Sequence, residues 1–378
     1  MPAAPSVNAI IFWAAIASTL TTIGPSFQLV QQSHMQESLP AITVDASGAG
    51  VAYWNDDASR AGRFASPQPI ASTIQLADGP SRDSGAASIG NQSMVVWLRN
   101  DDLWGQRIGS DGKAIGDPIY IAFTDSRHTM RMAIGASRDR YLVVWAIQTR
   151  MLASIIDTNG QIIDFAIPLM NGEYGRPIER ISITSNGSEF LVAWDASTSE
   201  PWVTPCTLAC PADDRDVHAI IVGDDGHPRP ETEHVLAAGA GDPDVASNGH
   251  DYLVTWSRFG GGITAQTISA GFTSAGDPVT VSAGKDYGPH IAWDGSMYDV
   301  AWINADSGLV LDGVRISDTG RVGEALATGR AYAGFDSRAF DIAARDGKIV
   351  LAVPSEGHLR VQFLGVAPTV TRYRGVRH

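Results

Sequence analysis

Seven ionisable residues stand at fixed distances before a short apolar segment that recurs along the chain. Carboxylates in such a set could act as general acid and base, and an arginine could bind the carboxylate of a substrate. The same residue types could instead pair with one another and line a solvated channel. Counted twelve or fourteen residues back from the end of each apolar segment, the set comprises Asp83, Arg131, Arg180, Asp242, Asp244, His290 and Asp341.

The recurrent apolar segment indicates how these residues are positioned. Six copies end in tryptophan and the seventh ends in Val353. A strand-like repeat of roughly 40–50 residues is typical of a β-propeller, in which each repeat forms one blade. The sequence therefore predicts an all-β fold, a single seven-bladed β-propeller with four-stranded antiparallel blades. The copies occupy residues 50–54, 94–97, 141–145, 190–194, 252–256, 298–302 and 349–353.

Turn signals and composition agree with many short strands. Asp-Gly and Asn-Gly pairs, such as Asp111-Gly112 and Asn159-Gly160, are strong hairpin signals. The 39 glycines and 20 prolines suit a chain that needs many tight turns. A formal net charge of −14 disfavours a general nucleic-acid binder, because such a protein needs a basic face to displace counterions.

The repeat resembles a broad group of secreted bacterial β-propeller proteins whose blades carry a Tyr-Leu-Val-Val-Trp strand. Residues 141–145 and 252–256 match this pattern best, and the resemblance covers roughly residues 27–368. The last copy departs from it, with Val353 in place of tryptophan. The resemblance implies a propeller fold and a secreted, periplasmic or cell-surface location, and no catalytic motif accompanies it. The periodic tryptophans are expected to pack between blades.

The N-terminal segment has two interpretations. Residues 8–23 are largely apolar and include the small-residue pattern Ala15-Ile16-Ala17, as in a signal peptide. No lysine or arginine precedes Arg60, so an apolar N-terminal extension is the alternative. The run is short and interrupted for a stable membrane span. We assign residues 1–24 to this segment, 25–368 to the propeller and 369–378 to a C-terminal tail.

The last blade needs an outer strand from one of the two chain ends. Residues 27–31 resemble the outer strands of other blades, so the N-terminus is expected to close the ring. Residues 369–373 are the alternative source of this strand.

An insertion at residues 195–219 interrupts the repeat on the face where ligands are expected. It contains Trp202 and the only two cysteines, Cys206 and Cys210. In an oxidising compartment these cysteines would form a local disulfide, whereas free thiols or a metal site are the alternatives. A loop held in this way could present Trp202 for sugar stacking or protein contact, and a loop without a role is the other interpretation.

These patterns lead to a functional expectation with one alternative. We expect a secreted, non-catalytic recognition or scaffold propeller that binds a glycan or surface protein at the channel mouth and has no cofactor. The alternative is a polysaccharide-active hydrolase or lyase that uses the mouth carboxylates with His290 or Arg180. A third hypothesis, a subunit of a cell-surface complex, predicts an exposed apolar patch.

Overall fold

The structure is a computed structural model of the chain. It describes residues 20–22, 27–28, 40–55, 58–65, 68–79, 81, 83–124, 130–147, 150–170, 178–197, 215–308, 310–326, 328, 339–355 and 358–366. Within these residues nearly all regular structure is β-strand, with two 3-10 turns at Pro230–Thr232 and Ala270–Phe272.

The strands form seven antiparallel sheets, which are the predicted blades. Two short strands, β1 (Leu20–Thr22) and β2 (Phe27–Gln28), precede the first blade. Blade 1 consists of β3 (Ala41–Val44), β4 (Ala49–Asn55), β5 (Ala58–Ala65) and β6 (Gln68–Asp78). Blade 2 consists of β7 (Asp83–Ile89), β8 (Gln92–Arg99), β9 (Asp102–Ile108) and β10 (Ala114–Phe123).

The next three blades follow the same order from the inner to the outer strand. Blade 3 consists of β11 (Met130–Ala136), β12 (Arg140–Ile147), β13 (Arg150–Asp157) and β14 (Ile162–Pro168). Blade 4 consists of β15 (Ile178–Ser185), β16 (Glu189–Ser197), β17 (Arg215–Gly223) and β18 (His234–Ala238). Blade 5 consists of β19 (Ala240–Ser247), β20 (Tyr252–Arg258), β21 (Ile263–Ile268) and β22 (Val279–Thr280).

The last two blades complete the ring. Blade 6 consists of β23 (Asp286–Trp293), β24 (Tyr298–Asn304), β25 (Val310–Ile316) and β26 (Val322–Ala325). Blade 7 consists of β27 (Asp341–Arg345), β28 (Lys348–Ser355) and β29 (His358–Val366), and β1 and β2 both pair with β29. Each inner strand contacts the inner strands of the two neighbouring blades, including β27 with β3, so the ring is closed.

The recurrent segment is the second strand of each blade, and its burial explains its composition. Every residue of β4 is buried, and Tyr141 to Ala146 of β12 are buried without a gap. The strand is covered on both faces by neighbouring blades, so it reads as a continuous apolar run. The six repeat tryptophans are at most 5% exposed, which confirms that they pack between blades.

The N-terminus closes the ring as expected. Phe27 pairs with Val361 and Gln28 with Arg360, while Leu20 to Thr22 pair further along β29. This exchange covers the edge of the last blade with strands from the opposite end of the chain. Residues 369–373, the alternative outer strand, lie outside the described residues, and the boundary between residues 24 and 25 stays a prediction.

Deleting residues 1–28 should lower the thermal midpoint by several degrees and promote self-association. The deletion exposes the backbone donors and acceptors of β29, and an unpaired edge strand invites pairing with another chain. Differential scanning calorimetry and light scattering measure both effects. A deletion of residues 369–378 is the comparison variant. A larger loss in that variant would show that the C-terminal tail, and not the N-terminus, closes the blade.

Candidate functional site

All seven inner strands begin around one central cavity of about 170 Å³, which we call the channel mouth. Its walls are polar at the level where the strands begin. Six of the eight sequence-predicted ligand-binding residues line it together. They are Asp83, Arg131, Arg180, Asp244, His290 and Asp341.

His290 is the centre of a four-residue cluster within the mouth. Its Nε2 lies 3.0 Å from Arg180 Nη2, and its Nδ1 lies 3.3 Å from Asp341 Oδ1 and 3.6 Å from Asp244 Oδ2. Arg180 Nη2 also lies 3.4 Å from Nδ1, and a guanidinium can only donate, so the arginine is the donor in its contact with the imidazole. The Phe340 ring packs on the imidazole at 4.5 Å between centroids. The contact between Arg180 and His290 joins blade 4 to blade 6 across the channel.

Three mouth carboxylates also join neighbouring blades through backbone hydrogen bonds. Asp341 accepts the N–H of Ile42 at 2.8 Å, which links blade 7 to blade 1. Asp244 accepts the N–H of Ile291 at 3.0 Å, and Asp83 accepts the N–H of Met132 at 3.2 Å. We call these three residues the clasp carboxylates, because each ties its own inner strand to the next one.

Each clasp carboxylate accepts a second backbone N–H from the residue that follows it. The distances are 3.0 Å for Ser84 and Val245 and 2.8 Å for Ile342. Blade 4 has Ser182 in place of a clasp carboxylate. Its hydroxyl donates to Asp244 and accepts the N–H of Val245, which links blade 4 to blade 5. The acidic groups at the mouth therefore already stabilise the seams of the ring.

Arg131 forms a further contact between blades. Its Nε donates to the carbonyl oxygen of Glu179 at 2.5 Å, and its Nη2 lies 3.3 Å from Glu179 Oε2. These bonds join the inner strands of blades 3 and 4. A ligand role for Arg131 stays a prediction.

Asp242 does not line the cavity. Its backbone has a positive φ of 53°, and its N–H donates to Asp195 Oδ2 at 2.9 Å. Its own Oδ2 accepts a hydrogen bond from Ser257 at 3.5 Å. Asp242 therefore lies in a bulge of β19 beside the mouth, and its role as a ligand contact stays a prediction.

Asp195 organises this side of the mouth, although it is not among the residues predicted from the sequence. Its side chain is fully buried and accepts the Arg180 N–H at 2.7 Å and Arg215 Nη1 at 2.8 Å, besides the N–H of Asp242. Burial raises the pKa of Asp195 to about 6, and the Arg215 charge acts in the opposite direction. Gly241 packs so closely that a Cβ there would lie 2.7 Å from Asp195 Oδ2.

A signal for this position is present in the sequence. In blades 1, 4 and 5 the residue after the repeat tryptophan is polar, namely Asn55, Asp195 and Ser257. Asn55 accepts the N–H of Ser81 at 3.1 Å, and Ser257 accepts the N–H of Gly288 at 2.9 Å. Each of these side chains therefore binds the backbone that leads into the next blade. A polar residue directly after the repeat tryptophan therefore marks this position in the sequence.

Trp202, Cys206 and Cys210 lie outside the described residues. The strand residues on both sides of them are described. Ser197 at the end of β16 pairs with Arg215 at the start of β17. The same end of β16 pairs with the start of β15, where Ile178 lies opposite Ala196. The insertion thus leaves blade 4 on the face of the channel mouth. The disulfide and the ligand role of Trp202 stay predictions.

The described residues contain no group of three or more His, Cys, Asp or Glu side chains arranged to hold a metal ion. No helix in this part of the chain is long and apolar enough to cross a membrane.

Comparisons with known proteins give no family and no activity. No protein-family model matches the chain, and no curated protein is similar to it. Among solved structures, a Dyadobacter fermentans protein of unknown function is 11% identical over 92% of this chain and 99% of its own, with a TM-score of 0.49. The Aleuria aurantia lectin AAL, in complex with a fucose-containing disaccharide, is 12% identical over 81% and 100%, with a TM-score of 0.46.

A third similar structure is a prolyl endopeptidase, 13% identical with a TM-score of 0.47. The match covers 85% of this chain but 45% of the endopeptidase. At these identities and scores no activity can be transferred, and the propeller assignment rests on the strand pairing of the chain itself.

Proposed function

We propose that this protein is a non-catalytic recognition propeller that binds a polar ligand, a glycan or the polar surface of a protein, at the channel mouth. The observation that carries this proposal is the double backbone bonding of the clasp carboxylates Asp83, Asp244 and Asp341. Each of these carboxylates accepts one N–H across a blade seam and a second from the residue that follows it in its own strand. Such a carboxylate is poorly suited to exchange protons with a substrate, because each change in its charge would weaken the seam.

The mouth nevertheless offers directional polar groups in a concave site. Arg180 can present its guanidinium to hydroxyl or carboxylate groups, and His290 can donate or accept after a small change of partners. Concave sites with a few convergent polar groups are the usual positions for ligands. Both side chains are buried to more than 90%, so an incoming ligand would exchange existing hydrogen bonds for its own.

The Arg180→Met variant should weaken ligand binding at least tenfold, about 1.4 kcal/mol, because it removes the donors and keeps the length of the side chain. A glycan array followed by isothermal titration calorimetry identifies the ligand and measures the loss. Arg229→Met is the matched control, since Arg229 pairs with Glu189 at 2.7 Å and does not line the mouth. Equal affinity of the Arg180→Met variant and the parent protein would refute binding at the mouth.

One observation favours an enzyme as the second candidate. His290 lies within 3.6 Å of two carboxylates and 3.0 Å from an arginine, which is an arrangement that can hold an imidazole for proton transfer. A polysaccharide hydrolase or lyase of this kind would release shorter oligosaccharides, measurable by mass spectrometry. Turnover that disappears in His290→Gln, in a variant that still binds the glycan, would establish catalysis and end the binding-only proposal.

We also propose that the protein acts outside the cytoplasm. The apolar residues 8–23 and the closely spaced Cys206 and Cys210 support export and a disulfide. Expression with the native N-terminus, followed by fractionation and mass spectrometry of the unreduced protein, tests both points together. Retention in the cytoplasm with both thiols free would contradict them.

A further inference from the structure

A second cavity lies between blades 1 and 2, away from the channel mouth. Its volume is about 280 Å³, and none of its lining residues lines the mouth. The outer strand of blade 1 supplies Leu76, and blade 2 supplies Trp97, Arg99, Asp102 and Trp104. Ligand pockets are usually about 300 Å³ or larger, so this cavity suits a ligand of one or two rings.

Trp104 departs from the repeat. It stands opposite Trp97 on the neighbouring strand, so both indoles lie on the same face of blade 2. In the other blades with a repeat tryptophan the residue opposite it is not a tryptophan, tyrosine or phenylalanine, and the one ring at this position is His218, which stacks on Trp194 at 5.2 Å. The corresponding residues are Arg60, Leu152, His218, Thr264 and Asp312. Packing of a blade therefore does not require an aromatic residue here, and Trp104 remains partly exposed.

The exposed edge of this cavity carries polar groups of both signs. The described residues supply no hydrogen-bond or ion-pair partner for the Arg99 guanidinium. Tyr120 packs edge-on against Trp104 at 5.2 Å, and desolvation together with the neighbouring Asp102 carboxylate raises the pKa of Tyr120. The buried Nε1 of Trp97 also has no hydrogen-bond partner among the described residues, but the same is true of most repeat tryptophans. Arg99 and Trp104 are therefore the residues that distinguish this cavity from the equivalent places in other blades.

We propose that this cavity is a second ligand site, which takes one pyranose ring of a saccharide. The apolar C–H face of a sugar ring stacks on an aromatic side chain, and its hydroxyl groups need donors and acceptors at the rim. Trp104 provides the stacking surface, Arg99 the donors and Asp102 the acceptors. The turn that follows Arg99 is held in place, because Thr124 donates from both its N–H and its hydroxyl to the carbonyl oxygen of Asp101.

The test titrates the whole protein with the methyl glycosides of glucose, galactose, mannose and N-acetylglucosamine. Binding is followed by saturation-transfer NMR and tryptophan fluorescence. At least one glycoside should bind, and Trp104→Ala should weaken its affinity at least tenfold. Trp293→Ala is the matched control, because Trp293 is also partly exposed and packs on a tyrosine, Tyr298, at 4.7 Å. That variant should bind as the parent protein does.

A second variant keeps the proposal testable if Trp104→Ala fails to fold. Arg99→Met lies at the rim and should also weaken binding at least tenfold without lowering the thermal midpoint. Absence of binding by all four glycosides would overturn the proposal, and so would unchanged affinity in the folded variants. Glycoside binding that is lost only in Arg180→Met would assign the sugar to the channel mouth and leave this cavity without a ligand.

Discussion

The Asp195→Ala variant should be one of the two most damaging substitutions, with a loss of about 3–5 kcal/mol in the free energy of unfolding. The change leaves Arg215 without its carboxylate partner and removes the acceptor for the N–H groups of Arg180 and Asp242. Charges and donors without partners at a buried site are costly because solvent cannot replace the lost bonds. Urea unfolding followed by tryptophan fluorescence measures the loss.

Asp195→Asn separates the contribution of charge from that of hydrogen bonding. The amide retains one carbonyl oxygen as acceptor, so this variant should lose clearly less stability than Asp195→Ala. In both variants the backbone of Arg180 loses or weakens its anchor, so mouth ligands should bind less tightly even when the protein is folded. A stable Asp195→Ala protein with full ligand affinity would contradict the organising role of this residue.

The second large effect concerns pH and the buried pair of carboxylates around Arg315. Arg315 Nε donates to Asp299 at 2.9 Å, and Nη2 contacts Asp294. Both carboxylates are fully buried, and Asp299 Oδ2 has no hydrogen-bond partner. One arginine cannot compensate two buried negative charges. Desolvation raises the pKa of Asp299 to about 7, with Arg315 opposing the shift and Asp294 adding to it.

The direction of the resulting pH dependence follows from proton linkage. The pKa of Asp299 is about 7 in the folded protein and 3.8 in the unfolded chain, so the folded state binds more protons between these values. The contribution of Asp299 to stability therefore falls as pH rises from about 4 to about 7. In Asp299→Asn this contribution is absent. The free energy of unfolding of this variant, relative to that of the parent, should therefore rise by roughly 2–4 kcal/mol between pH 4 and pH 7.

Thermal unfolding of both proteins at several pH values between 4 and 8 measures this difference. Asp306→Asn is the control, because Asp306 is an exposed carboxylate in the turn after β24. It accepts the Lys285 N–H at 3.1 Å, which an amide oxygen can also do, and lies 3.9 Å from the Lys285 ammonium. Its stability relative to the parent should stay nearly constant with pH. Parallel pH curves for Asp299→Asn and the parent would mean that Asp299 is ionised in the folded protein throughout this range.

The sequence was sufficient for the architecture because each blade is specified locally. Residues 141–145 form a second strand for reasons visible within their own repeat, namely an apolar run that ends in tryptophan and is bounded by turns. Repetition then determines the number of blades. Ring closure by Phe27–Gln28 was also predictable, since these residues resemble outer strands and the last blade needed one.

Counting back from the end of each apolar segment predicted that the mouth residues converge. It did not predict their hydrogen-bond partners. Asp83, Arg131, Arg180, Asp244, His290 and Asp341 line one cavity because equivalent positions of a ring of blades face one axis. Counting could not show that the carboxylate of Asp341 accepts the N–H of Ile42, across the seam between the last blade and the first. Nor could it show that Asp242 lies beside the cavity, because a bulge in β19 displaces it.

The sequence alone thus determined the fold, the blade count, the face on which the mouth lies and the position of the insertion after β16. Only the tertiary structure decided which polar residues stabilise seams, which organise the mouth and which line the cavity beside Trp104. The physical reason is the range of the interactions. Strands and turns depend on neighbours within one repeat, whereas the hydrogen bonds of Asp195 and Asp341 and the gap between blades 1 and 2 depend on how separate blades meet.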